Sequence, residues 1–262
     1  MKKLALGVIV IFTAFTLGCI DENVVWTLGK SLPQGEFAIY NDSFNTLKDD
    51  MWRIVAPPSK RQIYDNFWLA ETKVENGNLI METETGGFSE GRLVSKFVLW
   101  GDFDIQIDVH FEFDKRSDDM DQVVGFLIND VTKQIEKRES VFISLCNAKP
   151  LFYPYVATGR DVGGEITPGK NISLGYVFDG SLRILRKGNN TRLLIKNAAN
   201  NNWWNELFTV AATHKNVSVA VYVKNYVVNR TEIKAEKTFT ANFDNFKINA
   251  ARMIIEPDVL TP

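Results

Sequence analysis

The sequence predicts an all-β fold in which two antiparallel sheets pack face to face as a sandwich. Three observations support this class: one long segment alternates strictly between apolar and polar residues, short apolar segments separated by turn residues recur, and the chain shows no convincing long amphipathic helix after its N-terminal region. The alternation is clearest from Phe103 to Phe113, where odd positions are apolar and even positions polar. Successive strand side chains point to opposite faces, so this strand is predicted to be half-buried, as in antiparallel sheets.

The N-terminal residues have the features of an export signal followed by a lipidation site. Two lysines precede an apolar run of about fifteen residues, which is short for a bilayer-spanning helix of roughly 20 residues. The run ends at Thr16-Leu17-Gly18-Cys19, which resembles a bacterial lipobox in its Gly-Cys pair but has Thr16 where leucine is usual. We expect a signal peptide over residues 1–18 and lipidation of Cys19; an ordinary signal peptide is the alternative.

Composition limits the remaining possibilities. About 240 residues follow the signal, enough for one core, and we expect a tether over 19–36 and one domain over 37–262. The net charge is −2 without a basic run, so nucleic acid is not an expected partner. If Cys19 is lipidated, Cys146 has no disulfide partner and is predicted to be a small buried side chain. We expect a monomer.

Turn residues divide the first half of the domain into short strands. Asn76-Gly77 is a strong hairpin signal and precedes a strand over 78–84. We then predict a strand through RLVSKFVLW, a turn at Gly101-Asp102 and the strand 103–113, so that residues 78–113 form a three-strand meander. Polar spacers separate two further predicted strands, QVVGFLIND and SVFISLC.

The second half continues the alternation without being a sequence repeat. NISLGYVFDG alternates, and a hairpin is predicted around Gly188-Asn189-Asn190. In NVSVAVYV the valines at 217, 219, 221 and 223 are in phase, which predicts another half-buried strand. The last predicted strand runs over residues 239–249. Eleven or twelve such strands favour a two-sheet sandwich.

The order of several motifs resembles the concanavalin A-like lectin/glucanase superfamily over roughly residues 37–250. The motifs are NDSF, V-x-x-G-x-L-x-M-x-T, GGFSEGRLVSK, WGDFDIQIDV, VVGFLI and FDNFKI. The chain is most similar to laminin-G-like and family 16 glucanase-type jelly rolls. The resemblance implies a jelly roll of two curved sheets whose concave face often holds saccharide.

The enzymes of this superfamily place an E-x-D-x-(x)-E set on one strand. Alternation puts these carboxylates on one face, where one attacks the sugar and another protonates the leaving oxygen. On the strand after VVGFLI, Glu139 matches the first glutamate, but Val141 and Ser144 stand at or near the other two positions. The catalytic set is therefore absent, and we expect non-catalytic carbohydrate binding.

Two groups of residues are candidates for saccharide contact. Asp104, Asp108, His110 and Glu112 share the polar face of the 103–113 strand, which is either a binding face or simply the solvated side of a sheet. Trp203, Trp204 and Tyr153 are candidate stacking residues. Adjacent strand residues face opposite ways, so one tryptophan is predicted to be exposed and the other buried; both packing under a loop is the alternative.

The resemblance also implies a structural calcium ion between the first and last strands. Asp42 in NDSF and Asp244 in FDNF match the acidic positions, and carboxylate oxygen is the ligand type that calcium prefers. The alternative is an aspartate that only accepts hydrogen bonds at a strand turn.

These observations together predict an exported lipoprotein, anchored to the membrane at the cell surface or in the periplasm, that binds a polysaccharide or oligosaccharide. The first alternative is a glycoside hydrolase that uses carboxylates of the 103–113 strand. The second alternative is a protein-binding surface or adhesion module.

Overall fold

The computed structural model describes residues 31–56, 67–115, 120–133, 138–148, 151, 153–198, 203–212, 216–227 and 235–256. Within these ranges the chain forms one short helix and sixteen strands, and no helix there is long and apolar enough to cross a membrane. In chain order they are α1 (Gln34–Ala38), β1 (Trp52–Val55), β2 (Phe67–Leu69), β3 (Glu71–Glu75), β4 (Asn78–Glu82), β5 (Phe88–Ser95), β6 (Val98–Glu112), β7 (Met120–Asp130), β8 (Glu139–Asn147), β9 (Tyr155–Val162), β10 (Glu165–Pro168), β11 (Ile172–Ser173), β12 (Val177–Lys187), β13 (Asn190–Asn197), β14 (Asn205–Ala211), β15 (Asn216–Val227) and β16 (Thr240–Ile255).

The strands form a sandwich of two sheets, sheet I and sheet II. Sheet I has the order β10–β9–β8–β7–β15–β5, with β1 and β2 paired to the outer edge of β5 and β11 to β9. Sheet II has the order β14–β13–β12–β6–β16–β4–β3. All pairs are antiparallel except β2–β5. The sheets join at one corner, where Asn216 and Val217 of β15 pair with Trp100 and Leu99 of β6.

The strand with the clearest alternation lies in the middle of sheet II and supplies its core face. β6 is paired with β12 on one side and with β16 on the other. Its odd-numbered residues belong to the central hydrophobic cluster and are at most 2% exposed: Phe103, Ile105, Ile107, Val109 and Phe111. Alternate residues of β7, β8 and β15 in sheet I belong to the same cluster. The predicted all-β antiparallel sandwich is confirmed.

A group of phenylalanine rings fills the core at the C-terminal end of β6. The centroid of the Phe111 ring lies 4.6 Å from that of Phe113, 5.7 Å from that of Phe178 and 6.0 Å from that of Phe239. All four side chains are at most 3% exposed. Since they come from β6, β12 and the segment before β16, these rings tie neighbouring parts of sheet II together through packing alone.

Charged side chains are buried in the core toward the N-terminal end of β6. Glu139 and Asp130 of sheet I are fully buried, and Arg160 Nε donates to Glu139 Oε1 at 2.6 Å. From sheet II, Arg186 is 2% exposed and pairs in register with Phe103. Burial lowers the pKa of the Arg186 guanidinium, against the opposing effect of the carboxylates of Asp102, Glu139 and Asp130. The sequence analysis did not foresee this buried ionic cluster.

The predicted three-strand meander over residues 78–113 is wrong. β4 pairs with β3 and β16 in sheet II, β5 pairs with β15, β1 and β2 in sheet I, and β6 returns to sheet II. Alternation identifies a strand and its buried face, but it holds no information on the neighbour. Here the chain passes from one sheet to the other between successive strands, so consecutive strands do not pair.

The predicted turn at Gly101-Asp102 is also misplaced. The chain turns instead between β5 and β6, where the Ser95 hydroxyl donates to the carbonyl of Phe97 at 2.8 Å. Gly101 has a φ of 75°, which favours glycine, but it lies inside β6 where the register with β16 shifts. The glycine marks an irregularity within a long strand rather than its beginning.

Two predicted hairpins are confirmed. β3 and β4 are joined by Asn76 and Gly77, whose φ values of 53° and 75° are those that a tight two-residue hairpin turn requires. β12 and β13 are joined at Gly188, which has a φ of 60°.

The packed part of the chain reaches back to residues 31 and 32, upstream of the predicted domain start at residue 37. The Leu32 amide donates to the carbonyl of Ala251 at 2.7 Å, and Phe37 of α1 is buried in the core. Residues 31–36 of the predicted tether therefore contact the sandwich. The predicted signal peptide and Cys19 lie outside the described residues.

Candidate functional site

The first predicted site lies on the outer face of sheet II, where the carboxylates of β6 are held by neighbouring strands. Arg183 of β12 binds both carboxylate oxygens of Asp104, and the Asn249 amide donates to Asp104 Oδ1 at 3.1 Å. Asp108 accepts from the Ser181 hydroxyl at 2.6 Å and from the Asn245 amide at 3.1 Å. Each oxygen of these two carboxylates accepts at least one hydrogen bond from a neighbouring strand, so their arrangement serves the cohesion of sheet II.

The other two candidate residues of β6, His110 and Glu112, are exposed. His110 Nδ1 lies 3.9 Å from Asp179 Oδ1, and Glu112 Oε1 lies 4.0 Å from Lys115 Nζ. Each of these four side chains is more than half exposed, and ion pairs of this kind contribute about 0–1 kcal/mol. His110 and Glu112 are thus on the same face as Asp104 without sharing a binding cavity with it.

The adjacent tryptophans separate as predicted. Trp203 is 43% exposed, whereas Trp204 is 4% exposed and forms a small apolar cluster with Leu185 and Leu194. The guanidinium of Arg183 lies 5.3 Å and the ammonium of Lys196 5.4 Å from the Trp204 ring centroid. Arg183 therefore contacts both the Trp204 ring and the Asp104 carboxylate, but the Trp204 ring is buried and is not available for stacking on a ligand.

Tyr153 lies in the segment before β9, in the part of the chain that forms sheet I, and it is 47% exposed. Trp203 precedes β14 at the edge of sheet II. The predicted stacking residues are thus distributed over two sheets, and only Trp203 and Tyr153 present an exposed ring.

The two aspartates predicted to bind calcium are occupied by protein donors. Asp42 is 2% exposed; Oδ1 accepts from the Phe44 amide and Oδ2 from Trp52 Nε1, each at 2.9 Å. The Asp244 carboxylate accepts from the backbone and side-chain amides of Asn245. Burial raises the pKa of Asp244.

A calcium ion takes six to eight oxygen ligands, of which Asp42 and Asp244 supply only the two carboxylates. No group of three or more histidine, cysteine, aspartate or glutamate side chains suited to a metal occurs among the described residues. Calcium at Asp42 and Asp244 stays a prediction without support from this geometry.

The outer face of sheet I has an apolar cluster of its own, separate from the core. Its buried members are Val94, Leu127, Ala220 and Tyr222, and Phe142 packs against them. They come from β5, β7, β15 and β8, which are neighbours in sheet I. This apolar floor spans four strands and is larger than the cluster of Leu185, Leu194 and Trp204 on the outer face of sheet II.

β8 presents no carboxylate on this outer face. Its inward positions, which are fully buried, are Glu139, Val141, Ile143 and Leu145. Its outward positions are Ser140, Phe142, Ser144 and Cys146. The glutamate aligned with the first catalytic position is thus directed into the core, where it pairs with Arg160.

Tyr222 of β15 occupies the middle of the outer face of sheet I. A Cβ atom on Gly125 of β7 would lie 2.1 Å from a carbon of the Tyr222 ring, so the ring needs glycine beneath it. The Tyr222 hydroxyl is hydrogen-bonded to the Ser144 hydroxyl at 2.7 Å. Arg92 and Lys224 lie 5.5 and 5.0 Å from the ring centroid. These contacts fix Tyr222 across three strands.

Burial raises the pKa of Tyr222 to about 12, although the hydrogen bond from Ser144 lowers it. An unfolded chain releases this proton near pH 10. The contribution of the Tyr222 phenol to folding stability is therefore complete below pH 10. It is lost as the pH rises toward 12, since over this range the phenol ionises in the unfolded state but not in the folded state. We expect Tyr222→Phe to flatten the fall in stability over this pH range. Denaturant unfolding at several pH values tests this; Tyr176→Phe, whose phenol lies elsewhere, is the control.

Cys146 lies beside Tyr155 on the same face and is confirmed as a buried, unpaired cysteine. Burial raises the pKa of its thiol to about 12 and also raises the pKa of the Tyr155 phenol. Nucleophilic and redox chemistry of cysteine require the thiolate. Cys146 is thus a packing residue of this face.

Three aromatic rings form a row at the end of the outer face of sheet I, where β15 ends and β5 begins. The ring centroids of Phe67 and Phe88 are 5.8 Å apart, and those of Phe88 and Tyr226 are 5.0 Å apart. Phe67 and Tyr226 are partly exposed. We call Phe67, Phe88 and Tyr226 the aromatic row. Next to it in register, Glu90 of β5 lies opposite Lys224 of β15.

No protein-family model and no curated protein matches the chain. Solved structures do. A family 16 endo-glucanase from Bacteroides ovatus superposes with a TM-score of 0.56 at 12% identity, covering 80% of this chain and 99% of that one. The β-glucanase of Bacillus licheniformis gives 0.55 at 10% identity, with 84% and 98% covered. An immunostimulatory antigen and pseudo β-1,3-glucanase of Mycobacterium tuberculosis gives 0.55 at 11% identity, with 80% and 98% covered.

The chain has a concanavalin A-like jelly-roll fold. The alignment includes 98–99% of each matched structure and 80–84% of this chain, so the similarity extends through both sheets of the sandwich. At sequence identities of 10–12%, this similarity shows a shared fold and does not show shared functional residues. The chemistry of this jelly roll must therefore be argued from its own residues.

The sequence analysis missed the aromatic row of this jelly roll. It also missed the apolar cluster of Val94, Leu127, Ala220 and Tyr222, which we call the Tyr222 cluster. A signal for both was present, because Tyr222, Lys224 and Tyr226 alternate with the in-phase valines of NVSVAVYV. The valines were predicted to lie in the core, but no role was predicted for the alternate residues that point to the opposite face. Their position beside Arg92 and Phe88 depends on the pairing of β15 with β5, which are more than a hundred residues apart.

Proposed function

We propose that this jelly roll binds carbohydrate without hydrolysing it, as an exported protein anchored to the membrane through Cys19. The observation that supports it most strongly is the outer face of sheet I. That face combines partly exposed aromatic rings with charged hydrogen-bonding groups, the composition of many ligand sites. Its β8 strand has Ser140, Phe142, Ser144 and Cys146 at the outward positions.

The aromatic row is the proposed saccharide platform. An extended sugar presents C–H groups on its faces and hydroxyls at its edges. The rings of Phe67 and Tyr226 suit the faces. The partly exposed guanidinium of Arg92, held at 2.8 Å by the buried Glu90 carboxylate, lies further along β5 to meet the hydroxyls. The Tyr222 cluster keeps this floor rigid.

The proposal that hydrolysis is absent follows from carboxylate placement. Retaining hydrolysis needs two carboxyl groups about 5 Å apart across the scissile bond, and inverting hydrolysis needs about 6.5–9.5 Å. β8 has none on the outer face. On β6, Asp104 is paired with Arg183 and Asp108 is held by Ser181 and Asn245. Of the carboxylates named for the hydrolase alternative, Glu112 lines an open cavity of about 540 Å³ with His110 and Asp114. The protein-binding alternative gains no observation of its own.

Binding of the full-length protein to a panel of soluble polysaccharides, with a reducing-end assay on every ligand bound, tests this proposal. We expect Tyr226→Ala to weaken binding at least about tenfold, because stacking residues at the centre of a site dominate affinity. Tyr153→Ala, which removes a more exposed ring elsewhere, is the control and should leave affinity unchanged.

Three results would contradict the proposal. Loss of binding in Trp203→Ala rather than Tyr226→Ala would move the site to sheet II. Release of reducing ends would establish an enzyme. Absence of binding to every polysaccharide would remove carbohydrate as the ligand class.

A further inference from the structure

The first described residues lie at one end of the sandwich, and this end carries exposed cationic and apolar side chains. The Ser31 hydroxyl donates to the carbonyl of Ala251 at 3.2 Å, and the Leu32 amide donates to the same oxygen at 2.7 Å. Ala251 of β16 stands in register with Phe103 of β6, which pairs with Arg186 of β12. Residue 31 is therefore fixed at the end of sheet II that contains the tip of the β12–β13 hairpin.

Exposed cations and apolar side chains surround this point. The Arg252 guanidinium lies 4.8 Å from the ring centroid of Trp100, and Met253, which pairs with Trp100, is 45% exposed. Lys187 is exposed at the hairpin tip, which is held to β6 because the Gly188 amide donates to Asp102 at 2.7 Å. We call Ser31, Trp100, Lys187, Arg252 and Met253 the tether end.

A cavity of about 290 Å³ opens beside the tether end, lined by Leu185, Lys187, Asn190 and Arg192. The cations that line it are Lys187 and Arg192, and Arg192 pairs with Glu206. A cavity with a cation and an amide at its rim suits a small anionic group such as a phosphate.

The aromatic row lies at the opposite end of the molecule. Asn216 at the start of β15 pairs with Trp100 of the tether end, and Tyr226 lies ten residues further along the same strand. At about 3.3 Å per residue, the two are separated by about 33 Å along the strand. The proposed saccharide platform and the tether end therefore point in opposite directions.

The chain between the lipidation site and the fold is short. Twelve residues lead from Cys19 to Ser31, so the two positions can be at most about 40 Å apart. If Cys19 bears lipid, as the proposed function requires, Ser31 stays within that distance of the membrane surface.

We propose that the tether end lies against the phospholipid headgroups of the membrane in which Cys19 is anchored, with Lys187 and Arg252 bound to anionic phosphates. Tryptophan and basic side chains both favour the membrane–water interface, as Trp100 and Arg252 would do here. Lys and Arg near an anionic leaflet add attraction that salt screens. This docking holds the aromatic row about 30 Å from the lipid, where it reaches a polysaccharide. The inference rests on the proposed lipid anchor.

Lysine acylation of the full-length lipidated protein, inserted into vesicles that contain phosphatidylglycerol, tests the inference by mass spectrometry. We expect Lys187 to react about fivefold more slowly in vesicles than in uncharged detergent micelles. Lys115, which is also exposed but lies next to the opposite end of β6, should react equally in both. Arg252→Glu or high salt should restore Lys187 reactivity in vesicles, whereas Lys115→Glu, the matched charge reversal, should not.

The outcomes separate the inference from the proposed function. Equal acylation of Lys187 in vesicles and micelles, with the protein still floating with the vesicles, would overturn the docking and leave the anchor intact. Failure of the wild-type protein to float, or flotation of Cys19→Ala, would overturn the anchor and the docking together. Polysaccharide binding by the same vesicles is measured separately and tests the carbohydrate proposal.

Discussion

Replacing Glu139 with alanine is expected to lower the free energy of unfolding by about 3–5 kcal/mol, because it leaves the partly buried Arg160 and the buried Arg186 without this carboxylate. Glu139 is fully buried and accepts from Arg160 Nε at 2.6 Å, and it contributes to the field that keeps Arg186 charged in the core. Urea unfolding followed by tryptophan fluorescence measures the change. Glu139→Gln keeps the shape and an acceptor oxygen, so its loss should be smaller.

Glu165→Ala is the matched control for Glu139, since Glu165 is an exposed glutamate on β10. Its effect should stay within about 0.5 kcal/mol. A loss below about 1 kcal/mol in Glu139→Ala would mean that water enters the cluster and replaces the carboxylate, and the buried ionic cluster would then not hold the two sheets together.

Replacing Phe111 with alanine is expected to cost about 3–5 kcal/mol through lost burial and the cavity left behind. The Phe111 ring is 1% exposed and contacts the rings of Phe113, Phe178 and Phe239. Thermal unfolding of the variant should therefore show a large decrease in Tm, and Phe111→Leu should show a smaller one because leucine fills part of the space.

Trp203→Ala serves as the control for Phe111, because Trp203 is a large aromatic side chain that is 43% exposed. Its removal should change stability by no more than about 0.5 kcal/mol. If Phe111→Ala and Trp203→Ala cost the same, the phenylalanine group would not be a packed unit, and the assignment of the Phe103–Phe113 face to the core would be wrong.

The aromatic row and the Tyr222 cluster show which structural features could be read from neighbouring residues in the sequence. The phase of Tyr222 and Tyr226 in β15 was present in the sequence, because a strand with inward valines must direct its other residues outward. Their partners were not, because Ser144 is 78 residues from Tyr222 and Phe88 lies still further from Tyr226. The candidates chosen from sequence, Asp104 and Trp204, were singled out for chemical type. The structure uses them in contacts with Arg183 instead.

The sequence by itself determined the fold class, the buried face of β6, and the two hairpins at Asn76-Gly77 and Gly188. These follow from the strand period of two and from backbone preferences, which act between residues close in the chain. Only the tertiary structure decided which strands pair, that Glu139 and Arg186 meet in the core, and that the tether end and the aromatic row lie at opposite ends. These features depend on contacts between segments that are distant in the chain. An alternating pattern is compatible with many strand pairings and does not select one of them.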